Sequence, residues 1–516
     1  MFPRSWTSAA APWVALALAV FGLLGVWAFV DLTPEVSGDF FFAEDDPQLQ
    51  ASRQIAERYG SGSLIVVRAA DLRGDRDAYE ERIESLTEAL AAIDGISATY
   101  SITTDDPNIS PLFRRVLLTP DSSATNVILT VEDADPEALL VSLEQLIEAH
   151  DGPDLDIVMS GVPVIVELIR RNLFRDLVIF SLAAALVFGI LIALIYRDAA
   201  IVVGTLTTCF VSVSATLMIT QVLGVGIGLL TANLVPIVCV LTLSHVVFLT
   251  ANWLRVSQTE TDKGEALRQG VQHTLESSFW SMTTTLLGFL SLLVATAKPL
   301  RELGIAGAIG TLTAIAVAYT VYPAFLGRWA SARARPERVT EVGSPAGSNM
   351  VVGVTAAIVV LLGFGTFRVD TDPGLLTYFA KGGELRDGLE RIDADGGSSA
   401  LDIIIRDAEG GRIDSDVVFQ KMQAMQAALE ADSAVGVVLG PSVLLEHART
   451  LPLARFMSLE VLLDMASNPQ LGSIGLGYVS EERDEGHYFL RMREAVDEPS
   501  RDAVTDRLRS HVREAG

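Results

Sequence analysis

The sequence predicts an α-helical membrane bundle of about seven transmembrane helices, carrying two outward-facing α+β domains. Three observations predict it. Half of the 516 residues are hydrophobic and the mean hydropathy is positive, which suits a membrane protein with large soluble parts. Seven segments reach the roughly 20 mainly apolar residues that a bilayer-spanning helix needs. Two strongly acidic blocks lie outside those segments and repeat one pattern of strands and helices.

In chain order, residues 11–30 form the first span. Its apolar run is long for a signal peptide and no small-x-small cleavage site follows, so it reads as an uncleaved anchor. Residues 31–176 form the first α+β domain, with 29 acids against 11 bases. Residues 177–326 hold five spans, at 177–196, 199–222, 229–254, 279–297 and 302–326. Residues 327–348 are a linker, 349–367 the seventh span, and 368–516 the second α+β domain, with 27 acids against 16 bases. The acid therefore sits in solvated blocks, and a net charge of −26 argues against a phosphate-binding surface for nucleic acid.

Lys and Arg in the short loops set the direction of insertion. Arg4, Arg197, Arg255, Lys263, Arg268, Arg328, Arg333, Arg335 and Arg338 all fall on one side if the spans alternate. That side is the cytoplasm, so the 327–348 linker is cytoplasmic and both acidic domains face outward. Arg170, Arg171 and Arg175 lie outside, on a helix that continues into the second span. Within the fourth-to-fifth loop, Thr261–Ser278 carries Ala266, Leu267, Val271 and Leu275 at helical spacing, an amphipathic helix lying on the inner surface.

The acidic blocks repeat. The first reads "SLIVVRAAD", "YEERIESLTEALAAIDGISATYSI" and "NVILTVEDADPEALLVSLEQLIEAH"; the second reads "ALDIIIRDAEG", "VFQKMQAMQAALEADSAVGVVLG" and "HYFLRMREAVDEPSRDAVTDRLRSHV". β-Branched runs such as Leu64–Val67 and Asn126–Val131 read as strands. Ile83, Leu86, Leu90 and Ile93 carry a 3.6-residue helical period. Each block is thus a small α+β unit following an apolar span, so the repeat unit is a span plus a domain. The first unit runs on into five more spans, which leads to the expectation that a Gly-x-Pro segment and a second set of spans follow Gly516 in the intact gene or a neighbouring one. Pairing of two copies is the other way to complete the pattern.

Cys209 and Cys239 both lie inside spans, so neither block holds an internal disulfide. The six histidines are scattered and no CxxC occurs, which gives no metal or cofactor site. No nucleophile–base motif points to an enzyme, and no catalytic residue is assigned. One residue stands out: His245, in "VLTLSHVVFLTANWLR", is the one Asp, Glu, Lys, Arg or His in the interior of the spans, Glu302 standing at the first position of the sixth. Thr242 and Asn252 fall near its helix face, and Ser244 adjoins it. A histidine changes charge near neutral pH, yet an ion at mid-membrane costs roughly 2.5–3.5 kcal/mol. Protonation therefore needs water or a polar partner, for which Thr283, Thr284 and Thr285 of the fifth span are candidates. The alternative is a neutral histidine hydrogen-bonded across helices. Gly304, Gly307 and Gly310 allow close helix packing in the sixth span, either mobile or static. Gly224, Gly226 and Gly228 join two spans with no preceding strand, so they carry no nucleotide signature.

Several motifs resemble the resistance–nodulation–division superfamily of transporters, in particular its MMPL-like and sterol-sensing-domain exporters, relatives of Patched, Dispatched and the Niemann–Pick type C protein. "SGVPVIVELIRRNLFRDL" resembles the family's Gly-x-Pro segment entering the second span, and "ANLVPIVCVLTLSHVVFLTANWLR" its fourth span. "GEALRQGVQHTLESSFWSMTTTLLGFLSLLVATAKPLRELGIAGAIGTLTAIAVAYTVYPAFL" resembles its surface helix, Thr-rich fifth span and Gly-rich sixth span ending in Pro323. The resemblance implies that the α+β blocks are ferredoxin-like extracytoplasmic porter domains, and that proton movement through the bundle drives export of lipids or other hydrophobic molecules. In MMPL-like members an Asp-Tyr pair in the fourth span binds the proton; by position that pair falls on Ser244 and His245, so the usual carboxylate is replaced here. The expected setting is a bacterial inner membrane, with membrane lipids and a hydrophobic cargo as partners, no nucleic acid, and a homo-oligomer, dimer or trimer. The competing reading is a sterol-sensing-like lipid sensor or an accessory envelope protein without transport.

Overall fold

The computed structural model describes residues 8–34, 36, 47–59, 63–105, 111–119, 123–132, 135–331, 345–365, 382, 384–450, 456–466, 477–480, 482–494 and 501–516. The first helices are α1 (Ala11–Phe29) and α2 (Pro47–Tyr59). There follow β1 (Ser63–Asp71), α3 (Arg76–Ala91), β2 (Ile96–Tyr100), α4 (Pro111–Leu117), β3 (Ala124–Val131), α5 (Pro136–His150) and β4 (Leu155–Gly161). Next come α6 (Val162–Tyr196), α7 (Ala199–Val222), α8 (Leu234–Val256), α9 (Lys263–Ser291), α10 (Lys298–Thr320) and α11 (Tyr322–Arg328). The last elements are α12 (Pro345–Gly363), α13 (Glu384–Gly396), β5 (Ser399–Arg406), α14 (Asp416–Glu430), β6 (Val435–Leu439), α15 (Pro441–Thr450), α16 (Leu459–Ala466), β7 (Glu485–Met492) and α17 (Arg501–Glu514). The chain divides into a helical unit, Met1–Asp46 with Leu168–Gly343, and a sheet-bearing unit, Pro47–Glu167 with Ser344–Gly516.

Six helices among the described residues are long and apolar enough to cross a membrane, and they coincide with the first six expected spans. In the helical unit α7, α8, α9 and α10 pack on one another, and α1 packs on α7. Glycines set that last approach: a Cβ at Gly22 would lie 2.9 Å from Ser214 Cβ. Asp198 starts α7 by accepting from the Ala200 and Ile201 amides at 2.8 and 3.4 Å, satisfying two of the helix's free N–H groups. On α6, Leu182, Leu186 and Leu194 are exposed, as residues facing lipid tails would be.

Two boundaries differ from the sequence reading. The amphipathic stretch 261–278 does not lie apart as a surface helix; with most of the fifth span it forms the continuous 29-residue α9. Nothing between them breaks a helix, and Ala266, Leu267 and Val271 are buried, with Leu267 and Val271 in one core with Trp253 of α8. Packing against a neighbouring helix explains the burial of Leu267 and Val271, while Leu275 of the same face is exposed. The sixth span divides at Val321, where α10 ends and α11 begins with Pro323 in its first turn; proline has no N–H to continue the ladder. The seventh expected span coincides with α12, whose Val352–Gly363 stretch is an apolar helix shorter than the six. Most of the 327–348 linker, with Arg333, Arg335 and Arg338, lies outside the described residues.

In the sheet-bearing unit the first sheet has strand order β2-β3-β1-β4, all neighbours antiparallel, with β-α-β-β-α-β connectivity apart from the inserted α4. Val67 pairs with Val127 on one side and Met159 on the other. Ile65, Val67 and Ala69 alternate into the core, where Ile83, Leu86 and Leu90 of α3 and Leu140 and Leu143 of α5 are also buried. The second sheet has order β5-β7-β6, so its strands take the places that β1, β3 and β2 hold in the first. Its core joins Ile405, Tyr488 and Leu490 to Met422, Met425 and Leu429 of α14 and Leu508 of α17. The sequence repeat is therefore a repeat of structure.

The sheets of the two acidic blocks, 31–176 and 368–516, fall in one compact unit, and each block sends its leading helix to the other's sheet. Before β1, α2 carries Arg58 and Tyr59 to Glu485 of β7 in the second sheet; Arg58 forms an ion pair there and the Tyr59 hydroxyl donates at 3.2 Å. Before β5, α13 lies against β4 of the first sheet. Arg391 of α13 meets Asp156 at 2.6 Å, and Asp395 pairs with the buried Arg68 of β1. Gly161 ends β4 with φ +150°, and a Cβ there would sit 2.5 Å from the Leu64 carbonyl oxygen. That glycine lets strand β4 turn directly into α6.

Candidate functional site

His245 is the central residue of α8, eleven positions from each end, about 16 Å by helical rise. It is 4% exposed, inside the bundle of α7–α10. Its Nδ1 is buried and has no hydrogen-bond partner among the described residues. The Thr242 hydroxyl, one turn away, is likewise buried and unpartnered, as are Ser212 Oγ of α7 and Trp253 Nε1 of α8. Unpaired buried polar groups cost free energy, and three of these four stand on α8.

The aromatic neighbour of His245 is Tyr319 of α10, with ring centroids 6.5 Å apart and planes inclined at 57°. The Tyr319 hydroxyl donates to Ser278 Oγ of α9 at 2.7 Å, so three helices meet here. Further toward the C-terminal end of α8, Thr250 and the Tyr322 hydroxyl are 2.6 Å apart, and Asn252 Nδ2 donates to Thr274 Oγ1 at 3.0 Å. Thr216 of α7 and Thr313 of α10 lie within 2.6 Å. These pairs place hydroxyl and amide groups along the helix interfaces above and below the histidine.

The other residues singled out in the sequence divide. Thr242 shares the buried setting of His245. Ser244 turns its hydroxyl back to the Leu241 carbonyl at 2.8 Å, and Asn252 is engaged with Thr274 rather than with the histidine. Thr283, Thr284 and Thr285 donate to carbonyls of their own helix, at Phe279 and twice at Ser281, with distances of 2.8, 2.9 and 3.0 Å. Ser278 of α9 therefore reaches His245 only by way of Tyr319, five residues before the first of the expected threonines. Gly304, Gly307 and Gly310 all stand at close approaches: to the Phe289 carbonyl, to the Phe289 ring, and to Val238 of α8. Sequence inspection also passed over Glu167, 1% exposed in the first turns of α6, which stands before the expected start of the second span at 177. Among the described residues no group of acids, histidines and cysteines has the arrangement to hold a metal ion.

The MMPL family profile matches residues 43–362. No curated protein sequence matches the chain. Solved structures similar to it include the hedgehog release protein Disp from the water bear Hypsibius dujardini, at 13% identity and TM-score 0.49, covering 97% of this chain and 74% of that one. A heavy metal efflux pump is also similar, at 10% identity and TM-score 0.37, covering 98% of this chain. The chain spans 60% of the length of that pump.

Proposed function

The chain belongs to the MMPL family of membrane transporters, and from that premise we propose that it is a proton-coupled exporter of lipids or other hydrophobic molecules. It is a multi-pass membrane protein, with six apolar helices of spanning length among its described residues. In the proposed arrangement it sits in a bacterial inner membrane, its sheet-bearing unit faces outward as a pair of ferredoxin-like porter domains, and it performs no covalent catalysis.

The observation that carries the reading is His245: a histidine at the centre of α8, buried, with one ring nitrogen unpartnered and Tyr319 beside it. Proton binding there would add one charge to the interior of the bundle. The imidazolium would donate from Nδ1, and the nearby Thr242 and Tyr319 hydroxyl oxygens can accept. A group whose pKa differs by one unit between two bundle states biases them by about 1.4 kcal/mol. One charge crossing 100 mV adds about 2.3 kcal/mol. Together these suffice to tilt a two-state bundle, which is how a proton gradient becomes conformational work. Close packing at Gly304, Gly307 and Gly310 supplies interfaces that repack discretely.

Reconstitution in vesicles tests this reading. With an imposed pH gradient, the protein should move a fluorescent lipid between leaflets, and a proton ionophore should abolish the movement. Equal movement with and without the ionophore contradicts it.

A further inference from the structure

The second sheet holds a histidine with an acceptor beside each ring nitrogen. His487, on β7, is 8% exposed. Its Nε2 lies 2.8 Å from the Asp402 carboxylate of β5, and its Nδ1 lies 2.7 Å from the Gly477 carbonyl oxygen. A carboxylate and a backbone carbonyl are both acceptors, so both ring nitrogens must carry protons for both bonds to form. A neutral imidazole carries one such proton and can make only one of the two bonds. The Tyr59 ring of α2 lies 4.9 Å from the imidazole, within the reach of a cation–π contact.

We propose that His487 is held as an imidazolium and acts as a pH-sensitive pin, clasping α2 of the first acidic block to the sheet of the second. Each element packed on the ring adds groups of known charge. From α2 come Arg58 and Tyr59, both bonded to Glu485; burial raises the Tyr59 hydroxyl to about 12, so it stays a neutral donor. From β5 come Asp402 and Arg406, the latter paired with Glu485 and Asp484. From the turn before β7 comes Tyr478, its ring 6.1 Å from the imidazole and its hydroxyl raised to about 12 by burial. On β7 itself Glu485 lies two residues away, on the same face of the strand. Asp402 and the Glu485 cluster thus surround the cation with carboxylates, while Tyr59 offers it a ring face.

Losing the ring's second proton removes one of two hydrogen bonds and the cation beside Tyr59. The direction follows: the clasp is complete at low pH and loosens as pH rises through the ring's titration. Because α2 belongs to one block and β7 to the other, the change acts on the joint between them.

The test uses the full chain in nanodiscs. Nitrogen-15 spectra of labelled histidine, with the His487 signals assigned through His487→Gln, report the protonation of both ring nitrogens across about pH 5–8. Spin labels at Gln54 of α2 and Ala427 of α14, both exposed, report the separation of the helices. The ring should be doubly protonated at the acid end, and the label distance should lengthen as it loses a proton. His487→Gln, whose amide cannot titrate, should give one distance throughout. Asp402→Asn should move the transition to lower pH. A singly protonated ring at the acid end, or a distance that shifts equally in His487→Gln, overturns the proposal.

Discussion

Gly304→Ala tests the packing of the helical unit at its tightest backbone approach. A Cβ at Gly304 would stand 2.8 Å from the Phe289 carbonyl oxygen, 3.1 Å from Leu292 Cβ and 3.2 Å from Leu293 Cδ2. The nearest of these is backbone, which cannot rotate away, so α10 must shift off the end of α9. Overpacking of this kind costs about 1–3 kcal/mol. Alanine is a better helix former than glycine by about 1 kcal/mol, which works in the opposite direction. Taking the middle of the first range, the net loss is about 1 kcal/mol, roughly a fivefold fall in the folded-to-unfolded ratio. Gly353 of α12 is the control, because nothing lies within 4 Å of a Cβ there. Gly353→Ala should therefore be neutral or stabilising by up to about 1 kcal/mol. Reversible unfolding by SDS in mixed micelles, followed by tryptophan fluorescence, measures both. A Gly304→Ala protein as stable as wild type would refute the close approach of α10 to Phe289.

Two further outcomes follow. Lys421 holds the Asp407 carboxyl below its ordinary value of 3.8, Arg412 does the same for Asp414, and Arg507 for Asp432. Each depressed carboxyl stabilises the second sheet above the unfolded value of 3.8 and loses that contribution as pH falls through its folded value. Near-UV circular dichroism should therefore report loss of tertiary structure below that pH, and a signal flat to well below it would contradict the ion pairs. Reporter fusions at Asp105 and Asp432 should be external and those at Gln258 and Arg335 cytoplasmic, since the Lys and Arg asymmetry sets orientation; an internal signal at Asp105 would reverse it.

The parts of the fold that were legible in the sequence are those that local patterning decides. The bounds of α1 and α7 follow the apolar runs at 11–30 and 199–222 within a residue, because chain polarity changes sharply at Asp31 and Asp198. The strands and helices of the acidic blocks follow β-branched runs and the 3.6-residue period. Pairing across long sequence separations was not legible. The exchange of α2 and α13 rests on Arg58–Glu485 and Arg391–Asp156, ion pairs whose partners stand hundreds of residues apart with nothing local to match them. At the site, periodicity identified His245 and its own helix face, where Thr242 lies. The facing residues depend on how α9 and α10 rotate about their axes. That rotation brings Tyr319, bonded to Ser278, to the histidine and leaves Thr283, Thr284 and Thr285 bonded to their own backbone.

The central claim is that His245 binds the coupled proton, and His245→Asn tests it most directly. Asparagine keeps a polar, hydrogen-bonding side chain at the centre of α8 but cannot take up a proton. Transport driven by an imposed pH gradient, in vesicles containing equal amounts of correctly inserted protein, is the measurement. The account predicts that His245→Asn inserts as well as wild type and loses the gradient-dependent component, as His245→Ala does. Gradient-driven transport at the wild-type rate in His245→Asn would contradict it and leave His245 as a packing residue.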